Sequence, residues 1–175
     1  MREKIRKKAR DRKGFTLAEV LMAVLILLLV TAVVAGGLPA ATNAYGKVVD
    51  ASNAQVLLST TVTRLRDELR TATGVTVSGT TIRYTSAQGI TSTLEPKQEK
   101  EGTLTGIQLM ENGDADSARM LVSREAAGKN LSVAYETASY ADGMVTITNL
   151  QVSKGSQELS SVPVLKIRVL AAAAG

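Results

Sequence analysis

RKGFTLAEVLMAVLILLLV, residues 12–30, decides the fold: two cations, a glycine and the only Phe of the chain lead into a run whose single charge is Glu19. From Phe15 to Leu38 nothing else is charged, and the next charged side chain after Glu19 is Lys47. Those 24 residues, at about 1.5 Å each in a helix, reach about 36 Å, enough to cross about 30 Å of hydrocarbon. A carboxylate deep in lipid costs about 2.5–3.5 kcal/mol, less near an interface, so Glu19 requires a compensating partner.

Working outward, residues 1–14 hold eight of the 21 Lys and Arg and two of the 16 acids. The remainder has thirteen bases against fourteen acids and is nearly neutral at −1. The basic total therefore describes a leader and supplies no argument for nucleic acid. Cations before the apolar run and none directly after it place the N-terminus in the cytoplasm and the following domain outside, by the positive-inside bias. The absence of Cys and His removes disulfides, thiolate and imidazole metal ligands, and His-based acid–base chemistry, so an enzyme is not expected. About 135 residues follow the run, the size of one domain.

A cleaved secretory signal would share the basic start, and Thr42-Asn43-Ala44 has the small residues of a cleavage site. Its apolar stretch would nevertheless exceed the usual ~7–15 residues. A plain signal-anchor fits the length but leaves Glu19 unexplained.

Lys13-Gly14-Phe15-Thr16-Leu17-Ala18-Glu19-Val20, between a short basic leader and the apolar helix, resembles the N-terminus of type IV pilins and type II secretion pseudopilins. The resemblance covers about the first 40 residues in detail and the rest in general plan. It implies cleavage after Gly14 by a prepilin peptidase, methylation of the amino group freed on Phe15, and a role for Glu19 in assembly. The implied partners are similar pilin or pseudopilin subunits and an inner-membrane assembly platform. The implied location is the inner membrane, single-pass, then a surface or periplasmic filament.

The chemistry agrees, because cleavage turns an uncharged amide into an amine of reference pKa about 7.7–8.0, mostly a cation at neutral pH. Glu19, one turn on, can meet the amine of its own chain or that of a neighbour. The second is favoured, since an isolated helix would avoid the cost by carrying neither charge. The rival class is a non-polymerising, membrane-anchored extracellular binding protein with the same topology.

The expected organisation is a leader over 1–14, a transmembrane helix over 15–38 and an extracytoplasmic domain over 39–175. Gly36, Gly37 and Pro39 predict a kink or short break. Many family members carry a proline nearer the middle of the span. Ala51, Ala54, Leu58, Val62, Leu65, Leu69 and Ala72 recur at helical spacing and predict an amphipathic helix over about 48–73, stopped at Thr73-Gly74.

Short runs then predict antiparallel strands within about 75–170: Val75–Val77, Thr81–Tyr84, Leu104–Met110, Arg119–Ser123, Leu131–Tyr135, Met144–Val152 and Val164–Leu170. Ser86–Gly102 reads as an exposed loop. The fold class is α+β, a long N-terminal helix followed by an antiparallel sheet. The moderately large, cysteine-free domain and its second helical stretch fit a minor subunit.

Three further features carry less. Asn112, Asp114 and Asp116 alternate oxygen ligands suited to Ca²⁺, but the glycine and terminal Glu of a full loop are missing, so a solvated turn is expected. Tyr84, Tyr135 and Tyr140 are aromatic platforms for nucleic acid without a basic track. The Ser and Lys residues show no hydrolase spacing.

Overall fold

The computed structural model describes residues 15–98, 105–123 and 130–170. Among these residues one helix, α1 (Leu17–Arg70), precedes nine strands: β1 Thr73–Ser78, β2 Thr81–Thr85, β3 Thr91–Gln98, β4 Thr105–Glu111, β5 Arg119–Met120, β6 Ser132–Ala134, β7 Thr137–Ala141, β8 Met144–Lys154 and β9 Gln157–Arg168. The α+β plan expected from the sequence is the plan observed. The chain divides into two compact units between Gly46 and Lys47.

In the first unit, Leu, Val, Ile and Met side chains are exposed on every side of α1. A helix apolar all round suits an apolar surrounding, and α1 is long and apolar enough to cross a membrane. No break occurs at Pro39, which lies inside α1. Proline removes its own N–H from the ladder and crowds the carbonyl one turn back, a local disturbance that the helix absorbs here. The bonded turns on either side continue, and the Thr42 hydroxyl donates to the Pro39 carbonyl at 2.9 Å. The two helical segments expected on either side of Pro39 are one helix of 54 residues.

In the second unit α1 becomes one-sided, burying Ala54, Leu57, Leu58, Thr61, Leu65 and Leu69. The expected stripe is thus displaced slightly, with Leu57 and Thr61 inside and Ala51 and Val62 at its margin. Thr61 enters the core at little cost because its hydroxyl donates to the Leu57 carbonyl at 2.8 Å. The helix ends at Arg70, before the expected stop at Gly74. The Leu170 amide caps it by donating to the Arg70 carbonyl at 2.8 Å. Gly74 instead takes φ +56° at a register shift in β1 between Thr73 and Thr76, a bulge conformation that suits glycine.

The strands form two antiparallel sheets where one was expected. The first runs in the order β1-β2-β3-β4-β5. In the second, β8 pairs with β9 along one edge and with β7 and then β6 along the other. β3 corrects the expected loop over Ser86–Gly102, of which residues 99–102 lie outside the described residues. Pro96 does not prevent a strand here because β2 pairs only as far as Leu94, leaving a local edge beside the proline. β7 was also not expected, and β9 begins earlier than Val164.

Alternation fixes what each strand contributes. Ile82 and Tyr84, Leu94, Ile107 and Leu109 point from the first sheet into the core, and Val145, Ile147, Leu150, Val152, Leu165 and Ile167 from the second. They join the buried face of α1 in one cluster. Each full burial contributes about 1.5–3 kcal/mol before entropy. The sheets are also tied by hydrogen bonds: the Tyr135 hydroxyl donates to the Thr80 carbonyl at 2.7 Å and to the Leu94 carbonyl at 3.2 Å. The Thr105 amide reaches the Ser132 hydroxyl at 3.1 Å.

Candidate functional site

Phe15 and Glu19, singled out in the sequence, stand where α1 begins. The Thr16 carbonyl accepts the first intrahelical bonds, from the amides of Glu19 at 3.0 Å and Val20 at 3.2 Å. The Glu19 amide also donates to Thr16 Oγ1 at 3.3 Å. In return, Glu19 Oε2 accepts from the Thr16 amide at 3.3 Å and from its hydroxyl at 3.4 Å. Thr16-Leu17-Ala18-Glu19 is therefore a capping box, in which each side chain satisfies an orphan amide of the other residue.

Thr16 was not singled out from the sequence, although its spacing of three from Glu19, ahead of an apolar run, is the signal for such a box. Phe15 and Val20 occupy the flanking positions where apolar residues pair across a helix start. With Ala23, Val24 and Leu27 they border the same hollow as Glu19. Among the described residues Glu19 is the only charged group on this apolar surface. Its carboxylate is also favourable at a helix N-terminus, where the aligned peptide dipoles present partial positive charge. Gly14 and the basic leader lie outside the described residues.

The other sequence candidates serve the domain. Asp114 accepts from the Asp116 amide at 2.9 Å and caps the short 3₁₀ turn Ala115–Ser117. Asn112 precedes it with φ 54°, so this segment is a folded turn. Among the described residues no group of three or more acids gathers to hold a metal. Tyr84 donates to Glu68 Oε2 at 2.9 Å, and Tyr135 donates to the two carbonyls already named. Both phenols are buried, so neither ring is a free stacking surface. Burial, followed by the nearby Glu68 charge for Tyr84 and Glu95 for Tyr135, pushes both pKa values well above the ordinary phenol value. Tyr140 is half-buried on β7.

A basic leader thus precedes a capped helix start and a long apolar helix ahead of an antiparallel domain. A family model described as the prokaryotic N-terminal methylation motif matches residues 9–35, and this motif is the hallmark of type IV pilin and pseudopilin precursors. Neither the curated proteins nor the solved structures compared with the chain gave a match.

Proposed function

We propose that this protein is a structural subunit that prepilin peptidase cuts between Gly14 and Phe15, that is methylated on Phe15, and that assembles with similar subunits. The inner-membrane platform receives it, and the product is a type IV pilus or a type II secretion-like pseudopilus. The reading rests on the methylation motif at residues 9–35 coinciding with the start of the membrane-length helix. Removal of the leader leaves a cation on Phe15 beside Glu19, and water exclusion in a packed assembly strengthens that attraction. Glu19 then serves twice, capping its own helix and receiving the amine of a neighbouring subunit.

The N-terminus lies in the cytoplasm before processing, and the domain from about residue 39 lies outside, as the leader's charge bias directs. No catalytic step is assigned to the chain. Its size and cysteine-free composition point to a minor subunit, and its amount relative to other subunits in isolated filaments tests that assignment. The decisive measurement is the mass of the N-terminal peptide from cells that make the protein. Phe15 carrying one methyl group is expected; an intact leader, or a start near Tyr45, overturns the proposal.

A further inference from the structure

Charges distant in sequence meet where the end of α1 lies beside β9. Arg66 and Arg70, one turn apart on the helix, and Lys166 and Arg168, two apart on the strand, line an open cleft of about 460 Å³ containing one acid, Asp67. All four cations are exposed, and among the described residues none forms an ion pair. The cleft carries a local charge of +3 on a body of net charge −1, so the rest of that body is net negative. Cations at a helix C-terminus do offset the macrodipole, but that accounts for Arg66 and Arg70 and not for the pair on β9.

The opposite charge lies elsewhere on the same domain. Asp50, Glu95 and Glu111 already pair with Lys154, Lys97 and Arg119. Asp114 and Asp116, like the scattered Glu136, Asp142 and Glu158, have no ion-pair partner among the described residues, and these two share one exposed turn. That turn is held before any partner arrives. The Asp116 amide donates to Asp114 Oδ1 at 2.9 Å, and Ser117 Oγ donates to the Asp114 carbonyl at 2.6 Å and receives the Glu111 amide at 2.9 Å. A turn already ordered loses less entropy on docking than a flexible one.

We propose that the cleft formed by Arg66, Arg70, Lys166 and Arg168 receives the Asp114–Asp116 turn of a second copy of this chain. The inference rests on the assembly reading above. Patches that are complementary but occupy different places on one protein make a head-to-tail contact, which repeats along a filament and does not close a two-fold dimer. Two adjacent copies suffice to form it, even for a minor subunit. A nucleic-acid phosphate track fits the cleft less well. Asp67 interrupts the positive lining, no aromatic side chain lines it, and Tyr84 and Tyr135 are buried and bonded elsewhere.

The test uses the full chain in cells that assemble it. Arg66→Glu with Arg70→Glu, and separately Asp114→Lys with Asp116→Lys, should each lower incorporation about fivefold or more, the scale of one or two exposed ion pairs lost. The four changes together should restore it, which a merely misfolded variant would not do. Because the chain has no cysteine, Lys166→Cys and Asp116→Cys chains expressed together should also give an oxidised crosslinked pair, whereas Lys166→Cys with Ser78→Cys should not.

Unchanged incorporation of both charge-reversed variants, or no recovery on combining them, overturns the contact while leaving assembly standing. Absence of the processed wild-type chain from filaments overturns both. If Arg66→Glu with Arg70→Glu instead abolishes retention of mixed-sequence single-stranded DNA by the purified chain and leaves incorporation unchanged, the cleft binds a polyanion and the proposed docking is wrong.

Discussion

Glu19→Gln separates the observed helix cap from the charge pairing proposed for the same side chain. A glutamine at this position can still accept from the Thr16 amide, because a capping box takes Glu or Gln. It brings no charge to the amine on Phe15. Leaving that amine unpaired in a poorly hydrated assembly costs up to about 3–5 kcal/mol, a fall in incorporation of more than a hundredfold at the upper end.

Thr16→Ala does the reverse, removing the capping hydroxyl and keeping the charge. Caps contribute about 0.5–2 kcal/mol. The contacts here are exposed and long, at 3.3 and 3.4 Å, which places Thr16 at the low end, a loss of about tenfold at most. Both variants should still lose the leader, since both changes lie beyond the scissile bond. The assay confirms processing by peptide mass and then compares variant with wild type in sheared or crosslinked assemblies. Normal incorporation of Glu19→Gln, with Thr16→Ala the more impaired, would refute charge pairing and leave Glu19 as a helix cap.

Leu65→Ala removes a side chain with no exposed surface and should destabilise the domain by about 2–5 kcal/mol, read as a lower thermal midpoint. Tyr135→Phe removes the hydroxyl bound to the Thr80 and Leu94 carbonyls and should cost about 0.5–1.5 kcal/mol by the same measurement. Tyr84 and Tyr135 have folded pKa values raised above the unfolded value of about 10. The unfolded chain therefore releases these protons first, so their contribution is complete below pH 10 and is lost as pH rises beyond it. The thermal midpoint should be flat from pH 7 to 9 and fall above 10, and Tyr135→Phe should flatten that fall. A shortened chain beginning at Lys47, where the second unit starts, should be soluble and unfold in one cooperative step; aggregation in several buffers would refute the boundary.

What was legible in the sequence was whatever one element declares by itself. The apolar run and the three-and-four spacing through Leu58, Leu65 and Leu69 needed no partner to be read. The capping box was legible too, in Thr16 and Glu19, and was missed because the carboxylate was weighed only as a charge. Likewise Asp142-Gly143, with φ of 50° and 70°, is the turn pair that joins twisted antiparallel strands and could have exposed β7.

β3 was harder to see. TSTLEPKQ contains a proline and charges, and it becomes a strand because β4 pairs with it throughout while β2 stops at Leu94. In β9, Pro163 is accommodated opposite Asn149 (φ 50°), where the ladder skips a pair between Thr148↔Val164 and Leu150↔Val162. The basic cleft was invisible for a related reason: Arg66 and Lys166 are neighbours only through the fold.

The bond from Leu170 to the Arg70 carbonyl also orders events in time. A chain made from its N-terminus completes the helix long before β9 exists. The core cluster that holds Leu65 and Leu69 is therefore incomplete until Leu165, Ile167 and Val169, its last members among the described residues, are made. Closing so long a loop is slow compared with winding a helix, and the interval leaves an apolar face open to wrong partners. A nascent chain of this protein has most to gain from a chaperone late in its synthesis. A stop codon only a few residues before Leu165 should release a helix with no finished domain to cover it.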